Sequence, residues 1–371
     1  QPYQVRPNIL KCVANGPGVG EEIAADPPFA TFVVTIPQGR CWVAPQQNSG
    51  AMCDSIAVIT SDRTLLQDVS RYYPWPLPQC QQPQQDHHPF LKVEAMLPPV
   101  RYLEGRVAVV SGLSAHVYYH WMVDVLPRLA LLRQAGWQWA DLDAIVINST
   151  QQSFQRQTLA VLGVPEAKII ESDRHPHLQA AELVVPSFPG YLSWVPQATI
   201  EFLRSQFLPM ATETTLPATF PAFPPYLYIS RANASYRHVV NEAELLQHLQ
   251  PLGFVAIALE TLTVLQQVAL FVRAKIVVAP HGAGLTNTVF CSPGTRVVEI
   301  ASPHYVHSYY WILSHHVGLE HYLVRGQTVS CALFRQVMYQ NPLTEDIWLP
   351  ETTVQSLVAL LHRMIQGDSH G

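Results

Sequence analysis

The sequence has 371 residues, of which 48% are hydrophobic and only 13% are charged, and its formal net charge is −5. This length predicts roughly two globular domains, and the composition excludes an intrinsically disordered chain. No basic run is present, so the chain is not expected to bind nucleic acid.

The first half predicts one α/β domain. Residues 1–100 show only two clear strand patterns, at 32–36 and 56–59. Strands and helices then alternate, which predicts a parallel sheet covered by helices on both faces. The expected strands are 106–110, 144–147, 168–170 and 183–185, and the expected helices are 116–135, 154–162 and 197–208. We therefore predict an N-terminal domain over residues 1–208.

A second α/β domain is predicted after a linker. Residues 209–225 are rich in Pro and Thr and have no periodicity, which is typical of a linker. The alternation resumes over 226–371, with a closing helix at 354–365 that is able to pack back on the N-terminal domain. The expected strands are 226–229, 254–257, 276–279, 296–300 and 322–324, and the other expected helices are 242–249, 263–271 and 309–316.

A glycine loop follows the buried strand pattern at 276–279. It reads His281-Gly282-Ala283-Gly284-Leu285-Thr286-Asn287 and is expected to open a helix. Such a loop directs N–H groups and the positive end of the helix dipole at one point, which favours an anion, most often a phosphate. The loop has no Walker lysine, and Asn287 replaces the last glycine of the dinucleotide spacing. On its residues alone it also fits an ordinary strand-to-helix turn.

Two further clusters follow strand ends. Ser230, Arg231 and Arg237 come after the strand at 226–229, and an arginine there can contact a phosphate with two hydrogen bonds. Glu299 lies at the end of the strand at 296–300, where a carboxylate could bind the hydroxyls of a ribose. Solvated surface arginines and an ion-paired glutamate are the alternatives.

In the first half, His116, His120 and Asp124 follow one another at four-residue spacing. On a helix they share one face, and a carboxylate one turn from a histidine can orient it as a base. Pro127 cannot donate to Val123, so a bend is expected just after Asp124. The alternative is a half-buried helix face with satisfied polar groups.

The motif Asp141-Leu142-Asp143 has the D-x-D form of a divalent-cation site. It precedes a strand, at the wrong end for a site on a parallel sheet, so we expect neither a metal site nor a bound cofactor.

Four motifs in order resemble glycosyltransferase family 61. They are Tyr118-Tyr119-His120-Trp121-Met122-Val123-Asp124-Val125-Leu126-Pro127-Arg128, Ser230-Arg231 with Arg237 and Asn241-Glu242, the loop from His281 to Asn287, and Val297-Val298-Glu299-Ile300. The resemblance spans roughly residues 105–305. The family includes plant xylosyl- and arabinosyltransferases, animal N-acetylglucosaminyltransferases and bacterial proteins of capsular polysaccharide synthesis.

The resemblance implies a GT-B fold, with two Rossmann-like domains facing each other across a cleft. It implies an inverting, metal-independent transfer of a sugar from a nucleotide-diphosphate donor, usually UDP-linked, to a glycan or protein acceptor. Arg231, Arg237 and the loop amides would neutralise the departing diphosphate, with Asn287 as a further donor. Asp124 or His120 would be the base. The donor would lie mainly on the C-terminal domain.

Two other functions compete with this interpretation. A nucleotide-sugar binding module without catalysis would bind UDP but show no turnover. A glycoside hydrolase ranks last, because no paired acids follow the strand ends.

The expected setting of the chain is less specific. No apolar stretch is long enough to span a bilayer, and because the chain begins with Gln1, a removed anchor or signal is left open. We expect a cytoplasmic protein if it is bacterial, and a Golgi or ER lumen protein if it is eukaryotic. Six scattered cysteines are interpreted as free thiols, and an oligomer is left open.

Overall fold

A computed structural model describes residues 9–12, 30–45, 55–73, 88–192, 194–218, 220 and 223–368. The chain divides into two units, one covering 26–206 and the other covering 207–371 together with 1–25. Each unit has its own sheet and helices, so the predicted pair of Rossmann-like α/β domains is confirmed. No described helix is both long enough and apolar enough to cross a membrane.

The described chain opens with β1 (Ile9–Cys12), which belongs to the second unit. The first unit then begins. Its elements are β2 (Val33–Pro37), β3 (Arg40–Val43), β4 (Ser55–Ile59), β5 (Arg71–Tyr72), α1 (Phe90–Val93), β6 (Arg101–Val109), α2 (Tyr118–His120), a π-helical turn (Trp121–Val125), α3 (Leu126–Gln134), β7 (Ala144–Ile147), α4 (Ser153–Val161), β8 (Ile169–Glu171), β9 (His177–Pro186) and α5 (Gln197–Ala211).

The sheet of the first unit is mixed: the four strands predicted after residue 105 are parallel as expected, and the strands of the first hundred residues add an antiparallel part. Strands β9, β6, β7 and β8 are parallel and adjacent in this order, while β2 and β3 pair antiparallel with β9, and β4 and β5 extend the antiparallel part. The antiparallel strands come from the first hundred residues. Antiparallel neighbours need no helical crossover, so this part of the chain carries no strand–helix alternation to read.

The second unit continues from the end of α5. Its elements are β10 (Tyr226–Ile229), α6 (Glu242–Leu249), β11 (Val255–Ile257), α7 (Val264–Arg273), β12 (Ile276–Pro280), a 3₁₀ helix (Ala283–Phe290), β13 (Arg296–Ala301), α8 (Tyr309–Val317), β14 (Glu320–Arg325), α9 (Ala332–Met338) and α10 (Glu351–Asp368). The sheet order is β1-β14-β13-β12-β10-β11, and every pair is parallel except β1 with β14.

The structure differs from the predicted domain limits in three places. Residues 9–12, which were expected in the first domain without a predicted strand, form β1 and pair with β14 in the second unit. Helix α5 continues to Ala211 through Pro209, where a linker was expected, and the units divide after residue 206. The closing helix α10 packs on its own unit, because Val354 and Leu357 belong to the same buried cluster as Tyr228 of β10.

The expectation of free thiols holds for two of the cysteines. Cys41 and Cys331 form no disulfide bond in the described part of the chain. Cys53 and Cys80 lie outside the described residues.

Candidate functional site

Each sheet has a switch point, where the chain changes the side on which it adds strands. In the second unit, β11 lies on one side of β10 and β12 lies on the other. In the first unit, β7 and β8 lie on one side of β6 and β9 lies on the other. Ligands of open α/β sheets bind outside the carboxyl ends of the strands at such points. The residues that follow β10, β12, β6 and β9 are therefore the candidates for function.

At the switch point of the second unit, Arg231 lies directly against the glycine loop. A Cβ atom added to Gly282 would lie 2.1 Å from Nη1 of Arg231, so only a residue without a side chain allows this approach. Nη2 of Arg231 donates to the carbonyl of Tyr236 at 2.8 Å, and Nε is buried without a hydrogen-bond partner among the described residues. The structure thus brings together two clusters that are 50 residues apart in the sequence.

Arg237 contacts the same loop. It is only 8% exposed, and its backbone adopts a left-handed φ of 57°. Its Nε donates to the carbonyl of His281 at 2.9 Å, and its Nη1 donates to the carbonyl of Leu343 at 2.8 Å. Its guanidinium carbon lies 4.8 Å from the ring centroid of Tyr236 and 5.2 Å from that of Tyr305. These contacts fix the guanidinium in place.

The two guanidiniums form a cationic pair, and the carboxylate of Glu260 is near enough for its charge to oppose theirs without forming an ion pair. Among the described residues, neither Arg231 nor Arg237 takes part in an ion pair. Burial, reinforced by the charge of Arg237, lowers the pKa of Arg231 to about 10. Two adjacent cations shielded from water, with backbone carbonyls as their only polar partners here, favour binding of a multiply charged anion.

We expect the substitution Gly282→Ala to weaken anion binding without unfolding the protein. The backbone of Gly282 is extended, with φ of 173°, so alanine is accommodated by the chain and only the space is lost. The new methyl group would displace the guanidinium of Arg231, and we expect the Kd for UDP to rise by about tenfold. Calorimetric titration with UDP and a melting curve would measure both effects.

The matched control is Gly367→Ala, on the exposed side of α10, where the added Cβ meets only ordinary contacts. It should leave the Kd unchanged. An unchanged Kd in Gly282→Ala would show that the spacing between Gly282 and Arg231 does not matter for binding.

The glycine loop offers fewer contacts than the sequence predicts. Ala283 and Gly284 are partly exposed at the start of the 3₁₀ helix, where the first N–H groups of a helix lack partners within it. Leu285, Thr286 and Asn287 are fully buried. Their side chains are therefore corrected from ligand contacts to core positions.

The buried amide of Asn287 has a specific partner. Its Nδ2 donates to Oε1 of Gln267 on α7 at 2.9 Å. This hydrogen bond holds the 3₁₀ helix on α7, and because the side chain is fully buried, its amide is placed in the core and not at a diphosphate.

Ser230 also differs from the prediction. Its hydroxyl group lies 3.0 Å from both carboxylate oxygens of Glu242 at the start of α6, and Tyr228 donates to the same carboxylate at 2.9 Å. The single hydroxyl proton of Ser230 is therefore used within the protein. Ser230 holds the strand end on α6 instead of donating to a phosphate.

Glu299 is buried behind the loop, which corrects the expected ribose contact. Oε1 is hydrogen-bonded to Nδ1 of His281, and Oε2 is hydrogen-bonded to Nε2 of His321 at 2.9 Å. Both carboxylate oxygens are thus engaged by buried histidines, and the side chain is held within the protein instead of binding a ribose. Burial favours the protonated acid, but the two histidines outweigh it and lower the pKa of Glu299 to about 2.

Aromatic and histidine side chains around His281 were missed by the sequence prediction. The ring centroid of His281 lies 5.0 Å from that of Tyr310 and 5.2 Å from that of Tyr305. His307 stacks on Tyr309 with ring centroids 4.8 Å apart. The position of these residues shortly after strand β13 was the signal that the sequence offered.

The first unit places His120 and Asp124 at its own switch point. Nδ1 of His120 is hydrogen-bonded to Oδ2 of Asp124 at 2.8 Å, and Nε2 lies 3.3 Å from the hydroxyl of Tyr73. Both side chains are about one quarter exposed. The predicted histidine–carboxylate pair is present, but His116 lies in a turn before α2, so the expected three-residue face is reduced to two residues.

The expected bend near Asp124 takes the form of the π-helical turn. Pro127 follows it at the start of α3, where the missing N–H removes one intrahelical hydrogen bond. Gly112 packs against this turn, since an added Cβ would lie 2.7 Å from Val125. Asn148 holds Gly112 with two hydrogen bonds of 2.8 and 2.9 Å. π-Helical turns are frequent at functional sites because they re-aim side chains.

Two arginines beside Asp124 were also missed. Arg128 is fully buried and donates to the carbonyls of Ser111, after β6, and Pro186, at the end of β9, so it joins the two strand ends of the switch point. Burial lowers the pKa of Arg128 to about 9, and Asp124 acts in the opposite direction. Arg71 lies 3.8 Å from the ring centroid of Phe188, and Asp124 interacts with its charge as well.

The D-x-D carboxylates have structural partners. Asp141 accepts from the backbone N–H of Gln138 at 2.8 Å, and Asp143 accepts from that of Arg106 at 2.8 Å. Within the described ranges, no group of three or more His, Cys, Asp or Glu is placed to hold a metal ion.

Comparison with known proteins agrees with these observations. Residues 118–298 match the model of the family Glycosyltransferase 61, a range that includes both switch-point clusters up to β13. A 59-residue segment is 36% identical to the beta-1,2-xylosyltransferase RCN11 of Oryza sativa subsp. japonica. This segment is 16% of this chain and 11% of the rice protein.

Two solved structures of TibC from enterotoxigenic E. coli were also found. The first, an iron-containing dodecameric glycosyltransferase, is 12% identical, covers 92% of this chain and 98% of TibC, and gives a TM-score of 0.32. The second, the heptosyltransferase TibC in complex with ADP-D-beta-D-heptose, is also 12% identical, covers 89% and 93% of the two chains, and gives a TM-score of 0.32.

The cationic pair at one switch point and the histidine–aspartate pair at the other both lie within the residues that match this family. Residues 118–298 therefore form a glycosyltransferase family 61 domain.

Proposed function

We propose that this chain is an inverting, metal-independent glycosyltransferase that transfers a sugar from a UDP-linked donor to a hydroxyl group of a glycan or protein. One observation carries the proposal. Arg231 and Arg237 both contact the glycine loop at a switch point, and no carboxylate forms an ion pair with either among the described residues. A diphosphate supplies the missing negative charge, and its charge grows as the sugar leaves.

The first unit supplies the base in this proposal. Inversion in a single displacement needs one group that removes the proton of the acceptor hydroxyl. His120 and Asp124 are hydrogen-bonded to each other and partly exposed, as a base with its orienting partner must be. Either residue of the pair can be the group that takes the proton.

Metal independence is proposed because the chain has its own cations for the leaving group. Arg231 and Arg237 together carry two positive charges, comparable to one divalent cation. The carboxylates of the D-x-D motif, which a metal-dependent enzyme would use, accept backbone N–H groups instead.

The sugar is proposed from the relatives. The rice protein is a beta-1,2-xylosyltransferase, although it aligns with this chain over only 59 residues. Xylose is therefore the first donor sugar to test, followed by arabinose and N-acetylglucosamine.

A melting-temperature screen tests the proposal directly. We expect UDP and UDP-xylose to stabilise the protein, by about 2.7 kcal/mol at a hundredfold excess over Kd. Uridine lacks the diphosphate and should give no shift. Transfer activity should persist in EDTA, because the guanidiniums replace the cation. A strict requirement for Mn²⁺ would contradict metal independence, and the absence of any shift with UDP would contradict the proposed donor.

A further inference from the structure

A continuous line of hydrogen-bonded side chains lies behind the glycine loop. It runs from His281 through Glu299 and His321 to Ser314, whose Oγ lies 2.9 Å from Nδ1 of His321. None of the four residues is more than 2% exposed. Burying polar side chains this deeply costs folding free energy unless each polar atom has a hydrogen-bond partner.

The hydrogen bonds of Glu299 fix the ring states of both histidines. An ionised carboxylate only accepts hydrogen bonds, so His281 must carry a proton on Nδ1 and His321 must carry one on Nε2. This leaves Nε2 of His281 as the ring atom that is not engaged by Glu299. The glutamate therefore determines which nitrogen of His281 is presented to other groups.

The surroundings of His281 favour its neutral form in the absence of a ligand. Burial is the main factor that lowers the pKa of His281, and the charges of Arg237 and Arg231 act in the same direction, whereas Glu299 opposes them. A diphosphate bound at the guanidiniums would cancel their repulsion and leave the attraction of Glu299. The ionisable groups that surround the ring are Glu299, Arg231, Arg237, Tyr305, His307, Tyr309 and Tyr310, with His321 behind Glu299.

We propose that Glu299, held by His321, is a positioning residue that presents Nε2 of His281 to the donor diphosphate and lets this nitrogen take up a proton when the diphosphate binds. The inference rests on the proposed function, since it needs a diphosphate at the loop. The proton comes from solvent on binding and returns to solvent when the nucleotide leaves, and no covalent bond changes. During transfer, the imidazolium of His281 stabilises the charge on the departing diphosphate.

Calorimetric titration with UDP at pH 8, in two buffers of different ionisation enthalpy, tests the inference. At this pH the terminal phosphate of UDP, whose second pKa is about 6, has already lost its proton. Any net uptake of protons on binding then comes from groups of the protein and not from UDP. We expect uptake of roughly half a proton or more per UDP, and a Kd that rises with pH, because the complex holds a proton that the free protein lacks.

Three variants test which residues are needed for the proton uptake. His281→Gln and Glu299→Gln should both abolish the uptake and raise the Kd by roughly tenfold. His248→Gln, on the exposed side of α6, is the control and should keep the uptake of the wild type. A purely structural glutamate would lower the melting temperature of Glu299→Gln but leave the uptake unchanged. If Glu299→Gln does not fold, Ser314→Ala tests the same line of hydrogen-bonded side chains, and we expect it to take up fewer protons than the wild type.

The possible results distinguish the further inference, the positioning role of Glu299 and the proposed function. A wild-type protein that binds UDP without proton uptake overturns this inference and leaves the proposed function intact. A folded Glu299→Gln or Ser314→Ala variant with full uptake overturns the positioning role. A wild-type protein that binds neither UDP nor UDP-xylose overturns the proposed function, and this inference with it.

Discussion

Replacing Arg231 by alanine is expected to raise the Kd for UDP by about a hundredfold, the equivalent of one charge-assisted contact of roughly 2–3 kcal/mol. The turnover number should fall as well, because the charge on the diphosphate is greater in the transition state than in the bound donor. Calorimetric titration with UDP and initial rates with the donor would measure the two effects separately.

The structure offers a partial replacement and a control for this experiment. Arg231→Lys keeps one positive charge but cannot form a two-pronged contact, so an intermediate Kd is expected. Arg363→Ala removes an exposed arginine from α10 of the same unit and should bind UDP like the wild type. Arg231 also donates to the carbonyl of Tyr236, so a melting curve is needed to separate lost binding from lost stability. Binding of UDP by a folded Arg231→Ala variant within threefold of the wild type would contradict the proposed donor site.

The proximity of Arg231 and the glycine loop could be predicted in part from the sequence. Each follows a short apolar run, and the ends of parallel strands meet at one edge of a sheet. The sequence does not show that β10 and β12 are direct neighbours with the switch point between them. The contact between Gly282 and the guanidinium of Arg231 depends on that strand order, and it explains the glycine by space rather than by backbone conformation.

The role of Glu299 could not be predicted without the strand register. Glu299 on β13 pairs with Ala279 on β12. His321 on β14 pairs with Val297, which is also on β13. His281, Glu299 and His321 therefore lie on the same face of three adjacent strands, each one diagonal step from the next. Side chains at diagonal positions are within reach of one another when they are long. A carboxylate at a strand end suggested a ribose ligand, but the register directs it to the two histidines.

In the first unit, the sequence predicts a local contact but not the contacts between distant segments. The helix with His120 and Asp124 is periodic and local, so their hydrogen bond could be predicted from a spacing of four residues. Arg71 and Phe188, which lie near the same pair, come from β5 and from the loop after β9. They are brought together by antiparallel pairing of short strands from the first hundred residues, where the chain gives no clear periodic signal. Contacts of this kind depend on the fold as a whole.

Replacing Asp124 by asparagine should lower the turnover number by about 10²–10⁴-fold, the usual contribution of a general base. The change keeps the shape of the side chain but removes its charge and leaves an amide beside Nδ1 of His120. If Asp124 is the base, the proton acceptor is lost, and if His120 is the base, its orientation and basicity are lost. Binding of UDP should not change, because the donor contacts proposed above are all in the second unit. Single-turnover rates and a UDP titration on the same preparation would test both expectations.

The matched control for this change is Asp141→Asn in the same unit. The asparagine oxygen can still accept the backbone N–H of Gln138, so the fold should be preserved. Activity like that of the wild type is expected, because this carboxylate has a structural partner and no role in transfer. Loss of activity in Asp141→Asn, restored by Mn²⁺, would assign the D-x-D motif to a metal after all. Full activity in Asp124→Asn would remove the histidine–aspartate pair from the mechanism and place the base elsewhere, since an amide cannot accept the proton at neutral pH.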